Sequence, residues 1–114
     1  MVVEDDFLIS MMIEDILREQ GCVVVGPFTT LADALEAADA PGVDLAILDV
    51  NLRGERVYPV AELLAQRRIP FLLVTGYGER AIPPEHPEWQ AVSKPFHARE
   101  LVRALVSSAR QRHP

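Results

Sequence analysis

Cysteine is almost missing from this chain. Of 114 residues only Cys22 carries a thiol, so no internal disulfide can form. It stands in the apolar run Cys22-Val23-Val24-Val25, where a small buried hydrophobe is the expected role. Positive charge is also scarce: 11 basic against 17 acidic residues leave a formal charge of −6. That excludes a broad sequence-independent nucleic-acid surface, which needs concentrated positive charge. Long apolar runs are lacking, and none approaches the ~18–20 residues of a membrane span. Met1-Val2-Val3 is followed by acids, unlike the basic start of a signal peptide. A soluble, reducing, cytoplasmic setting is the expectation, with neither membrane nor nucleic acid as partner. No internal repeat, linker or low-complexity stretch divides the chain, so residues 1–114 read as one domain.

What is present is a regular alternation. Val2-Val3 is short for a strand, as expected of a chain that begins partway into its first one. Residues 7–20 read as a helix with Ile9, Met12, Ile13, Ile16 and Leu17 on one face. Asp5 and Asp6 stand at its start, Asp6 chiefly as a helix-start acid, and Gly21 suits its end. Residues 22–25 read as the second strand, closed by Gly26-Pro27. Thr29 or Thr30 caps a second helix running to about Ala40, with Leu31, Ala34, Leu35 and Ala38 inward. Residues 45–48 are four apolar residues ending on Asp49, the pattern of a strand buried on both faces. Pro59 suits the first turn of a third helix with Val60, Leu63 and Leu64 inward. Residues 71–74 are a fourth strand. Pro83, Pro84 and Pro87 then oppose a full fourth helix, so a short turn or irregular loop is expected. Residues 89–93 read as a fifth strand, and residues 98–110 as a last helix burying Leu101 and Leu105. Strands alternating with helices predict an α/β/α sandwich around a five-stranded parallel sheet.

In such sheets ligands bind at the carboxyl ends of the strands. Glu4 and Asp5 follow the first strand, Asp49 the third, Thr75 the fourth and Lys94 the fifth. Neighbouring strands would gather three carboxylates, a hydroxyl and an ammonium in one cleft. Three carboxylates repel one another unless a cation joins them, and oxygen ligands favour a hard one such as Mg²⁺. Lys94 and Thr75 suit phosphoryl oxygens, and an aspartate can accept a phosphoryl group covalently.

These residues resemble the receiver domain of two-component response regulators over essentially the whole chain. The resemblance is carried by Val3-Glu4-Asp5-Asp6, Leu48-Asp49-Val50-Asn51-Leu52, Val74-Thr75-Gly76 and Lys94-Pro95-Phe96. It implies a flavodoxin-like sheet in the order 2-1-3-4-5 with five helices. It implies that Asp49 accepts a phosphoryl group from a histidine kinase or phosphotransfer protein. It implies a Mg²⁺ (or Mn²⁺) ion held by Asp5, Asp49 and the backbone carbonyl of Asn51, with Glu4 acting through water. Lys94 and Thr75 then engage the phosphoryl oxygens, and the chain catalyses its own phosphorylation and slow dephosphorylation. A cis Lys94–Pro95 peptide is also implied.

Some positions depart from the common pattern. Ala91 stands where the family often has a switch aromatic, three residues before the lysine. Thr75-Gly76-Tyr77 resembles a subgroup of single-domain receivers with a Thr-Gly-Tyr motif and a short or mobile fourth helix. Tyr77 there either covers the site, replaces the missing aromatic, or is an ordinary half-exposed tyrosine. The family's frequent dimer face uses its fourth and fifth helices, so a weak fourth helix favours a monomer. Competing readings are a pseudo-receiver binding module, the receiver portion of a hybrid kinase or longer regulator, and a small hydrolase or flavodoxin-like cofactor protein. The intact acid set opposes the first. The absence of a Gly-rich phosphate loop, a nucleophile elbow and an Asp-x-Asp-x-Thr stretch opposes the last. His86, His97 and His113 lack metal-ligand spacing and receive no catalytic role.

Overall fold

The computed structural model describes residues 1–76 and 78–112; the readings of Tyr77 and His113 lie outside the described residues. Strands β1 (Val2–Val3), β2 (Ala46–Asp49), β5 (Phe71–Thr75) and β6 (Ala91–Ser93) form one parallel sheet in the order β1-β2-β5-β6. Helices α1 (Phe7–Glu19), α2 (Leu31–Asp39), α3 (Tyr58–Gln66) and α4 (Ala98–Arg112) cover it. A hairpin of β3 (Asn51–Leu52) and β4 (Glu55–Arg56) leads into α3.

The strand side chains alternate between two cores. Val2, Ile47, Leu72, Val74 and Val92 meet Ile13, Ile16 and Leu17 of α1 and Leu101 and Leu105 of α4. Val3, Ala46, Leu48, Phe71 and Leu73 meet Ala34 and Ala38 of α2 and Val60, Ala61 and Leu64 of α3. Both faces are apolar because both are covered, which is why the strands read as unbroken apolar runs. The register sets Asp49 opposite Val74 and Thr75 opposite Ser93, so the strand ends lie level. Among the described residues no helix is long and apolar enough to cross a membrane.

The helix ends follow the sequence. Asp6 caps α1 by accepting from the amides of Leu8 and Ile9, at 3.0 and 3.1 Å. Thr30 caps α2 through the amide of Asp33 at 3.2 Å.

Three expectations fail. Residues 22–25 do not form a strand. Val2 donates to the carbonyl of Val25 but accepts from the amide of Phe28, and Phe28 makes a lone parallel bridge to Val3. Gly26 and Pro27 bulge out between those bonds, with Gly26 at φ +108°. A Cβ on Gly26 would stand 2.8 Å from the Val2 carbonyl oxygen, so this close approach requires glycine. The sheet is therefore four-stranded with a one-residue fifth partner on its β1 edge. Cys22, expected to be buried, is exposed for the same reason, as is Val23. Met12, expected inward, is also exposed, because the inward stripe of α1 runs through Ser10, Ile13, Ile16 and Leu17.

Where a fourth long helix would lie there is a single 3₁₀ turn, Gly78–Ala81, as the prolines predict. The irregular chain beyond it is pinned to α3. Tyr58 donates its hydroxyl hydrogen to the carbonyl of Ala81. One turn later, Glu62 meets Nε2 of His86 at 2.7 Å. The His86 ring stacks flat on Trp89 at 4.0 Å, and Trp89 meets Phe71 edge-on at 5.1 Å. The His86 pKa lies above its ordinary value: desolvation opposes this, but the Glu62 and Glu88 carboxylates outweigh it. A raised histidine adds stability that is fully present below its unfolded pKa of about 6.5 and is lost as pH rises through the folded value. Trp89 is the sole tryptophan and should report the change. Its fluorescence is expected to be quenched by the stacked imidazolium and to rise with a midpoint above about 6.5. Glu62→Gln should lower that midpoint. A fluorescence flat between about pH 5 and 8 would refute the clamp.

Candidate functional site

The carboxyl ends of the four strands open onto a cleft of about 330 Å³ lined by Asp5, Asp6, Asp49, Val50, Asn51, Thr75, Gly76 and Lys94. Each polar group arrives by a separate route. Glu4 and Asp5 leave β1, Asp49 is the last residue of β2, Thr75 ends β5, and Lys94 follows β6. The amide of Lys94 donates to the carbonyl of Thr75 at 2.8 Å, and the Lys94–Pro95 peptide is cis. The lysine side chain lines the cleft. Its Nζ stands 3.0 Å from Oε1 of Glu4 and 3.3 Å from Oδ1 of Asp49. One carboxylate oxygen from each of Glu4, Asp5 and Asp49 lies within 4.8 Å of the others. Glu4, Asp49 and Thr75 are buried, while Asp5 is half-buried at the mouth.

The charges respond to this crowding. Burial pushes Glu4 up to about 8; the neighbouring Asp49 adds to the rise and Lys94 opposes it. Burial alone would lower Lys94, but the carboxylates of Glu4 and Asp49 hold it above its ordinary value. Burial would raise Asp5, yet its pKa is lowered, first by a hydrogen bond from the backbone amide of Arg53. That bond measures 3.1 Å to Oδ2. A buried acid that retains its proton near neutrality, beside two more acids, is a donor set short of positive charge. One lysine does not supply enough, and a hard divalent cation would. The oxygen ligands, their spacing and the open mouth fit such an ion.

The structure brings together Glu4, Asp5, Asp49, Thr75 and Lys94, with Asn51 and Gly76 on the rim. Asp6 lines the cleft but is engaged as the α1 cap. Sequence reasoning missed the Arg53 amide. A main-chain donor leaves no mark in the residue pattern, and only Gly54 in the Arg53-Gly54 pair hints at a turn. A larger hollow of about 810 Å³ lies between the proline segment and α4, but it gathers no comparable set of acids.

A parallel sheet covered by helices, with acids and a lysine at its carboxyl edge, is a flavodoxin-like domain. The family model described as the response regulator receiver domain matches residues 1–106, and the chain belongs to that family. The transcriptional regulatory protein PdtaR of Mycobacterium tuberculosis is 28% identical over 109 residues, covering 92% of this chain and 53% of that protein. The phyllosphere-induced regulator PhyR of Methylorubrum extorquens is 30% identical over 113 residues, covering 96% and 42%. The chain thus spans about half the length of the curated relatives it matches. Among solved structures, SdrG of Sphingomonas melonis Fr1 is 40% identical with a TM-score of 0.81, covering 95% of this chain and 92% of that one. A second structure, SdrG of Pseudomonas melonis Fr1 in a BeF3-activated conformation, is 41% identical with a TM-score of 0.76, covering 93% and 91%.

Proposed function

We propose that this receiver domain takes a phosphoryl group onto Asp49 from a phosphohistidine of a kinase or phosphotransfer protein, with Mg²⁺ (or Mn²⁺) in the acid cleft. The observation that supports this most is the position of Lys94, whose Nζ lies between Glu4 and Asp49 at 3.0 and 3.3 Å. A carboxylate oxygen of Asp49 attacks phosphorus, the P–N bond to the donor imidazole breaks, and its electron pair returns to nitrogen, which takes a proton from water. Asp5, Asp49 and the Asn51 carbonyl would hold the metal, with Glu4 acting through water. The ion supplies neutralisation of the phosphoryl oxygens as charge gathers there. Glu4, beside it, would be held as a carboxylate once positive charge fills the cleft. Lys94 turns from Glu4 toward a phosphoryl oxygen, and the Thr75 hydroxyl donates to another. In the reverse chemistry water attacks phosphorus and Asp49 leaves as a carboxylate, giving inorganic phosphate. Gly76 and Tyr77, directly after Thr75, modulate the attack of water. Phe7 and Leu8, exposed at the start of α1 directly after the cleft acids, offer a protein donor an apolar landing edge. SdrG, whose BeF3-activated conformation is known, is consistent with the same chemistry here.

The test is intact-mass measurement after treatment with a small phosphodonor and Mg²⁺. One phosphoryl group per chain is expected, on the peptide containing Asp49 and labile to hydroxylamine, with no incorporation when EDTA is present before the donor is added. No incorporation from either the small donor or a phosphorylated kinase would overturn the proposal and leave a phosphorylation-independent interaction module.

A further inference from the structure

The β3–β4 hairpin stands directly after Asp49 and does not read as machinery. Its pairing, Asn51 with Arg56 and Leu52 with Glu55, leaves Arg53 and Gly54 as a two-residue turn. Both have positive φ, +51° and +88°. That combination defines the mirror-image turn whose twist suits a hairpin, and glycine, asparagine or aspartate normally occupies its first position. Arginine is the costly choice there, and its side chain is exposed. The hairpin is nevertheless firmly seated. Leu52 and Val57 are buried, the amide of Val57 donates to the carbonyl of Val50 at 2.9 Å, and Oδ1 of Asn51 accepts from the amide of Gly54 at 2.9 Å. The turn so held aims the amide of Arg53 at Oδ2 of Asp5, 48 residues away in sequence, at 3.1 Å.

We infer that this turn is a positioning device for Asp5, and that Arg53 acts through its backbone N–H and not through its guanidinium. The inference rests on reading the acid cleft as a metal site. Asp5 is the least buried of the three acids, so its rotamer is the one least fixed by packing. A donor on one oxygen fixes the carboxylate plane, which favours its meeting a cation together with Glu4 and Asp49. Partners that orient a metal ligand from behind are commonly worth 10–100-fold in affinity.

Two variants separate the N–H from the side chain. Arg53→Gly keeps the amide and accepts the positive φ; Arg53→Pro removes the amide. Mg²⁺ binding, followed by NMR titration without any phosphodonor, should be unchanged within about twofold in Arg53→Gly and weakened about tenfold or more in Arg53→Pro. Arg53→Gly should also melt higher than the parent, so affinity and stability do not move together. Because proline can disturb the whole hairpin, the Arg53 amide proton is read as well. In Asp5→Asn it should shift upfield, while the Gly54 amide, bonded to Asn51, stays in place. Equal Mg²⁺ affinity in the two Arg53 variants, or an Arg53 amide that ignores Asp5→Asn, overturns this inference and leaves the phosphoacceptor proposal standing. A parent protein that binds no Mg²⁺ overturns both.

Discussion

Asp49→Asn is expected to take up no measurable phosphoryl group, a loss on the order of 10³-fold or more in the rate of incorporation. The amide oxygen is uncharged and a poor nucleophile toward phosphorus, and no other carboxylate is placed to replace it. Glu4 lies behind Asp49 against Lys94, fully buried, and Asp5 is held by the Arg53 amide. Lys94→Ala should cost less, about 10²-fold, because it removes charge stabilisation and leaves the nucleophile in place. The asparagine variant should still fold, since it is isosteric and sits at the end of β2 with its backbone paired as before. It should also change its neighbour. Asp49 is one cause of the high Glu4 pKa, so Glu4 should titrate below about 8 in Asp49→Asn. Phosphoryl incorporation by mass and Glu4 titration by NMR check the two halves. Full labelling of Asp49→Asn would place the acceptor elsewhere.

The residues of this cleft were legible because each is tied to its strand end by one or two neighbours in sequence. Leu48-Asp49 and Val74-Thr75 carry apolar register and polar end within a single dipeptide, and Lys94-Pro95 carries its own turn. The parallel layering was legible from the same apolar runs. The β1 edge was not. Cys22-Val23-Val24-Val25 has the composition of a strand, but pairing there depends on the path of Gly26-Pro27 and on the Val2 carbonyl it must approach. Nothing in the valines records that. The stripe of α1 was misread at Met12 because Ser10, a polar residue, takes an inward place and hydrogen-bonds to Glu14 at 3.0 Å. The Arg53 amide and the His86–Glu62 clamp were invisible for another reason: their partners lie 48 and 24 residues away. Composition and periodicity describe faces and ends of elements, and each of these contacts has a loop or turn residue on at least one side.

Trp89→Ala should destabilise the domain by roughly 3–5 kcal/mol, a large fraction of the 5–15 kcal/mol typical of such domains. Trp89 is almost fully buried, packs edge-on against Phe71 of β5 and carries the stacked His86. Among the described residues it is the largest side chain by which the helix-poor segment after β5 enters the core, since the prolines there deny it the backbone ladder of a helix. Truncation would both open a cavity and free His86 from its stack, so the Glu62 clamp on α3 should loosen as well. Trp89→Phe separates these effects. Among the described residues the buried indole Nε1–H has no hydrogen-bond acceptor, so replacing it removes an unsatisfied donor along with some contact area. Phenylalanine should therefore cost less than half of what alanine costs and keep an aromatic face for His86. Denaturant melts of the two variants decide the matter. A phenylalanine variant as unstable as the alanine one would mean that the indole N–H is bonded in solution and that this packing account is wrong. If the ranking holds, Mg²⁺ affinity in Trp89→Phe should match the parent, because Trp89 precedes β6, whereas the cleft lies at the carboxyl ends of the strands and Trp89 does not line it.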